Sequence, residues 1–358
     1  MRMLLLLLAC SSSDSPVDDT AARDTAPVGS AACTEVTGSG SVVVASRSDL
    51  ATLAVPAIPA AADEVATGFA GPDALGRYYL TEPTGVVKRS DDGGCTWSAV
   101  GSLPVDGASD TGWADTGSSG YVFYDLFTAP TADLVYAYRP EHLLVSDDGG
   151  SWSELSPPPL RAAAILAIDP SDSARLRGYA PEGIVTSTDG GATWTTSSVP
   201  DTDAWYNVAI DGSDIDRIGL SARGLWVATD GVTWAQPDIE LQAALAWDTG
   251  DLVALYSDPE DASLRLRRST DLGVSFTDLP VDTDADAHLY KLAARGGLIV
   301  SGGYRYVSGE QPTGLVQFTD DAGTVVHNVA GYQGVVGIGL GEDRVVVALE
   351  GAGIDTAD

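Results

Sequence analysis

Hydrophobic residues in this chain fall into short runs separated by polar clusters, and residues 161–200 show the local grammar. An apolar run from Ala163 to Ile168 meets a turn at DPSD, and a second from Leu176 to Tyr179 meets a turn at PEG. A third runs from Gly183 to Ser187 and a fourth from Thr193 to Val199. Short runs at regular spacing, with Gly, Pro and Asp turns between them, predict antiparallel β-strands. No segment has the length of a transmembrane helix.

A polar motif repeats in step with these runs. Ser90–Trp97 reads SDDGGCTW and Ser187–Trp194 reads STDGGATW, both fitting SxDxGxTW. Shortened or worn copies are SDDGGSW (Ser146–Trp152), ATDGVTW (Ala228–Trp234), STDLGVSF (Ser269–Phe276) and TDDAGTVV (Thr319–Val326). The aspartates of these six boxes are Asp92, Asp148, Asp189, Asp230, Asp271 and Asp321, and three successive intervals are 41 residues. Four strands in a repeat of about 40 to 50 residues is the arithmetic of a propeller blade. Six boxes give six blades. The tail, residues 334–358, reads as three more strands, and CTEVTG, residues 33–38, looks like a segment that leaves a box. The expected fold is therefore all-β: a seven-bladed β-propeller of four-stranded antiparallel blades, the last closed by the N-terminal strand so that no sheet edge stays open.

The boxes resemble the Asp-box family, also called bacterial neuraminidase repeats. It includes sialidases, some xyloglucan-degrading glycosidases, sortilin-type receptors and photosystem assembly factors. The resemblance runs continuously over residues 64–330. It implies that each box is a hairpin between third and fourth strands, peripheral and structural. The Asp accepts hydrogen bonds from the turn, Gly supplies positive φ, and Trp packs between blades. Sialidase chemistry is not implied. That activity needs three arginines on a substrate carboxylate and an arginine motif of RIP type before the first box. Arg47, Arg77 and Arg89 are the arginines of residues 41–89, and none precedes Ile-Pro.

Charge narrows the partners. The 51 acidic residues against 19 basic give a formal charge of −32, which disfavours nucleic acid and anionic lipid surfaces. At 44% hydrophobic residues the chain still supports a large core, so the acids read as a solvated surface. Lys88 and Lys291 are the only lysines. The start, MRMLLLLLAC, resembles a bacterial lipoprotein signal, with residues 1–9 removed and Cys10 lipidated. Residues 10–32, rich in Ser, Asp, Pro and Ala, then form a flexible tether to a single domain, residues 33–358. The expected location is the cell envelope or extracellular space, as a lipid-anchored monomer. Setting Cys10 aside leaves Cys33 and Cys95, either a disulfide or two buried thiols.

Ligands of propellers usually meet the loops leading into the inner strands. Here those loops supply Asp110, Trp113, Asp115, Asp203, Trp205, Tyr206, Asp284, Asp286, His288 and Tyr332 as candidate ligand-binding residues. Carboxylates beside aromatic faces suit sugars or cationic ligands. No cofactor is expected. DTDADAHLYKLA from Asp282 begins like an EF-hand but has Ala287 where Gly is needed and Ala293 where Glu is needed, leaving only a looser Ca²⁺ site open. RLRR, Arg265–Arg268, reads as the outward face of a strand or a docking patch for an acidic partner. The reading that results is a non-catalytic binding or scaffold module for a glycan or protein partner. The alternative is a glycoside hydrolase acting at the central face, for which two opposed carboxylates are required.

Overall fold

A computed structural model describes residues 33, 36–37, 39, 41–46, 66–104, 124–129, 131–139, 142–156, 166–180, 183–200, 207–221, 224–237, 243–258, 263–281, 286–307, 312–320, 323–329 and 332–351. Among these residues there are 27 strands and no helix. The four runs of residues 161–200 become Leu166–Asp169, Asp172–Ala180, Gly183–Ser187 and Thr195–Ser197, paired antiparallel in that order. Six such four-stranded sheets follow one another along the chain as blades 1 to 6. Their first strands are Gly68–Ala70, Asp125–Thr128, Leu166–Asp169, Asn207–Ile210, Ala243–Asp248 and Ala287–Arg295. With Tyr332–Leu340 of blade 7, these inner strands pack beside one another around the axis of a seven-bladed propeller.

Blade 7 is closed by the N-terminus, but not by the segment that sequence suggested. The described tail gives two strands, Tyr332–Leu340 and Arg344–Gly351, and residues 352–358 of the expected third lie outside the described residues. The next strand is Val42–Ser46, in register from Val42 opposite Ala348 to Ser46 opposite Arg344. Burial explains the choice. Val43 and Ala45 enter the apolar cluster shared with blade 6, while Val42 and Val44 enter the one shared with blade 1, so VVVAS is buried on both faces. CTEVTG has one large hydrophobe to offer, Val36, and its Thr37 pairs instead with the first box. There Thr37 N–H donates to Cys95 O (2.9 Å) and Trp97 N–H donates to Thr37 O (2.9 Å). The structure joins Cys33 and Cys95 by a disulfide, with Cα atoms 5.4 Å apart.

Seven apolar clusters hold the ring, one at each seam between neighbouring blades. Burying each Val, Leu or Phe of such a cluster contributes roughly 1.5–3 kcal/mol. The box aromatics serve these seams. Trp97, Trp152, Trp194, Trp234 and Phe276 each pack in the cluster shared with the preceding blade.

The turn geometry of the boxes follows from their residues. In box 1, Asp92 accepts hydrogen bonds from the N–H groups of Cys95 (3.1 Å) and Thr96 (2.8 Å) and from the hydroxyls of Thr96 (2.7 Å) and Ser90 (2.8 Å). Asp189 and Asp271 repeat the arrangement on Thr193 and Ser275. Gly93 and Gly190 sit at φ 75° and 70°, a region costly for other residues. In the worn fifth box that place is taken by Leu272 at φ 60°.

Arginines tie the seams on the box side. Arg77 Nη2 donates to Asp147 O (3.1 Å) and Arg89 Nη1 to Asp148 O (2.9 Å), both in the box of blade 2. Arg344 Nη1 of blade 7 donates to Asp92 O (2.8 Å) and Gly93 O (3.3 Å) in box 1. Arg175 and Arg177 of blade 3 share Asp216 of blade 4 at 2.6 Å each. RLRR is engaged within blade 5: Arg267 pairs with Asp278 (2.5 Å) over the Tyr256 ring, and Arg268 with Asp248 (3.3 Å). Much of the positive charge is thus spent within and between blades, which leaves the acids to dominate the surface.

Candidate functional site

A cavity of about 490 Å³ lies at the axis between the inner strands of blades 1, 2, 6 and 7. Phe69, Asp125 and Phe127, Tyr290 and Lys291, and Val335 face it from those four blades. Asp125 is the first residue of its strand and so stands at the end where the lead-in loop arrives. Tyr290 and Lys291 are adjacent in sequence, yet both line the cavity. A β-bulge between Leu289, opposite Gly303, and Lys291, opposite Gly302, shifts the register there and re-aims the pair.

Electrostatics in the cavity are simple. Asp125 is open to the channel but surrounded by protein, and that burial pushes its pKa above the usual carboxylate range against the opposing pull of Lys291. Burial, helped by the negative charge of Asp125, pushes the Tyr138 phenol well above its ordinary value. Among the described residues Lys291 has no ion pair, whereas Lys88 is bound to Glu82 at 2.6 Å. One lysine of two, in a chain of charge −32, therefore projects into the axial cavity.

Tyr290, which lines the cavity, belongs to an aromatic cluster on blade 6. The His288 ring stacks on Tyr304 at 5.0 Å between centroids, and Tyr304 lies 6.1 Å from Tyr290. Val335 N–H donates to Tyr290 Oη (3.1 Å), which fixes that ring against blade 7. Tyr290 and Tyr306 remain 42% and 47% exposed, enough open ring surface to receive a ligand face.

Of the residues expected at the lead-in loops, His288 sits in this cluster. Asp286 is exposed beside it, its C=O accepting the Tyr306 N–H (2.9 Å). Tyr332 begins the inner strand of blade 7, its backbone opposite Gly351. Asp110, Trp113, Asp115, Asp203, Trp205, Tyr206 and Asp284 lie outside the described residues, as do Asp321 and Cys10. Among the described residues no three metal-ligating side chains cluster. Sequence reasoning missed Asp125, Tyr290 and Lys291. A signal existed in HLYKL: Leu289 and Leu292 are separated by two polar-tipped residues, which breaks the period of two and marks a bulge.

No protein-family model matches the sequence, and no curated protein does. Among solved structures, a GH74 xyloglucanase from Xanthomonas campestris aligns with TM-score 0.53 and 18% identity, over 76% of this chain and 46% of that one. The chain thus spans less than half of that enzyme. YCF48 from Cyanidioschyzon merolae aligns with TM-score 0.52 and 13% identity, over 81% and 97% of the two chains. YCF48 bound to a D1 peptide gives 0.56 and 12%, over 88% and 95%. At such identities the likeness shows the propeller fold alone.

Proposed function

We propose that this chain is an Asp-box propeller, lipid-anchored outside the cytoplasm through Cys10, that binds a glycan or protein partner at the axial cavity without transforming it. The observation that carries this reading is the aromatic cluster of His288, Tyr290 and Tyr304, whose Tyr290 lines the cavity with Lys291 and Asp125. Exposed ring faces stack on sugars or on peptide side chains, and one cation and one carboxylate orient polar groups. A xyloglucanase and a peptide-binding YCF48 among the structural neighbours are compatible with either class of partner. The hydrolytic alternative has one observation in its favour. A carboxyl whose pKa is raised by burial, as for Asp125, is suited to general-acid catalysis.

Glycan and peptide arrays probed with the full chain test the reading. Binding should fall about tenfold or more in Tyr290→Ala and Lys291→Met. Retention in both variants would move the site elsewhere. Release of new reducing ends from a bound polysaccharide, abolished by Asp125→Asn, would make the protein an enzyme.

A further inference from the structure

A second cavity, of about 500 Å³, opens on the opposite face, where blades 6, 7 and 1 meet. Arg295, at the end of the blade 6 inner strand, forms one wall. The blade 7 turn, Gly341 to Arg344, forms another. The blade 1 turn around Asp73 and the side of Tyr78 complete it. Tyr78 is 2% exposed, and its ring stacks on Phe69 at 6.1 Å. Among the described residues its hydroxyl has no hydrogen-bond partner. It lies against Gly341, whose missing side chain keeps the approach open, since a Cβ there would stand 2.8 Å from Tyr78 Oη. The hydroxyl is therefore not sealed in the core but opens onto the cavity, where a ligand can pair with it.

The surrounding charge restricts what could pair with it. Asp73 is neutralised by Arg77 Nε at 2.6 Å, and Arg344 by Asp343 at 3.3 Å. Arg295, whose Nη1 donates to Leu340 O (2.8 Å), and Glu342 add one charge of each sign to the wall. Phosphate or a free carboxylate would meet Asp343 and Glu342 as well as the arginines. A ligand that both donates and accepts, and carries no charge, meets no such conflict. A volume near 500 Å³ falls within the range of about 300–1,000 Å³ usual for small-ligand sites.

We propose that this crevice binds a neutral, hydroxyl-rich ligand, a mono- or disaccharide, which hydrogen-bonds Tyr78 Oη and bridges blades 6, 7 and 1. Burial, the first of the influences on it, holds the Tyr78 phenol up to about 12, so at neutral pH it is a hydroxyl that can donate and accept. The site is separate from the axial cavity, and the two can fail independently.

Saturation-transfer NMR and calorimetry on the full chain, with glucose, galactose, N-acetylglucosamine and cellobiose as probes and inorganic phosphate as the anion control, test this. At least one sugar should bind. Tyr78→Phe and Gly341→Ala should each weaken it about five- to tenfold, as expected for one hydrogen bond. Lys291→Met should leave it unchanged. Because the hydroxyl has no protein partner to lose, Tyr78→Phe should also melt with the parent. Any of four results overturns the proposal: no sugar binds, phosphate binds in their place, Tyr78→Phe binds as the parent does, or Tyr78→Phe melts well below it.

Discussion

Two seams of the ring bury similar cores by different means. Between blades 4 and 5, Leu225 and Val227 pack on Trp247, Leu252 and Ala254, and Trp247 Nε1 donates across the seam to Ala209 O (3.1 Å). The chain itself runs directly from one of these blades into the next. Between blades 7 and 1, Val42, Val44 and Val346 pack on Tyr78, Leu80 and Trp97, but blade 7 is assembled from both ends of the chain. Among the described residues, the second seam carries fastenings that the first lacks. They are a third strand from the N-terminus, the pairing of Thr37 with the first box, the Cys33–Cys95 disulfide, and Arg344 reaching Asp92 and Gly93. Arginine bonds to a neighbouring blade recur at seams the chain connects, as with Arg77 and Arg89 on the blade 2 box, so the N-terminal strand and the disulfide are what set the closing seam apart.

Breaking the disulfide should show the difference most strongly. It closes a loop of 62 residues, for which the loss of unfolded-chain entropy corresponds to about 4 kcal/mol. Cys33→Ser should therefore lower the unfolding free energy by roughly 2–4 kcal/mol in urea titrations, and the parent should lose as much when reduced. Equal midpoints for oxidised and reduced parent would show that the N-terminal strand is held without it.

Arg344→Met comes next. It removes bonds to two box carbonyls from a guanidinium that is only 5% exposed, and should cost about 2–3 kcal/mol. Arg268→Met is the matching change on the other side of the ring. That arginine spans blades 5 and 6 through longer contacts, to Asp248 (3.3 Å) and Gly297 O (3.4 Å), and its loss should cost about 1 kcal/mol. Equal costs would mean that the closing seam draws no special support from Arg344.

The same contrast separates what sequence disclosed from what it hid. Strand count and blade count were legible because each blade repeats its runs and its box, and a box is local chemistry: Asp189 bonds within four residues of itself. The closing strand was misassigned because it is selected by burial on two faces. Only the finished ring supplies those faces, to Val43 and Ala45 on one side and to Val42 and Val44 on the other. The axial residues were hidden for a related reason. Asp125 and Lys291 stand 166 positions apart and become neighbours only when blades 2 and 6 share one axis. Tyr78 reads as an ordinary core aromatic in sequence, and only the turn at Gly341 reveals its hydroxyl as open.

The smallest expected effect lies in the boxes themselves, and it tests whether their aspartates are structural at both kinds of seam. The hydroxyl and then the N–H of Thr233 hold Asp230 down to about 2, from 3.8. In box 1, burial acts to raise the Asp92 pKa, but the Thr96 and Ser90 bonds outweigh it and the net shift is again downward. A carboxylate depressed in the folded state stabilises above its unfolded pKa, and that contribution is lost as pH falls through the folded value. For Asp230 the window runs from pH 3.8 down to about 2. Asp230→Asn should therefore melt slightly below the parent at pH 7 and converge with it near pH 2. Because Asp230 is exposed, the gap at pH 7 should be small. Asp92→Asn should open a wider gap at pH 7, since Arg344 and Thr37 both bond to the box that Asp92 shapes. Identical melting curves for Asp92→Asn and the parent from pH 7 to pH 2 would show that the closing seam is held by its other fastenings and not by the geometry of its box.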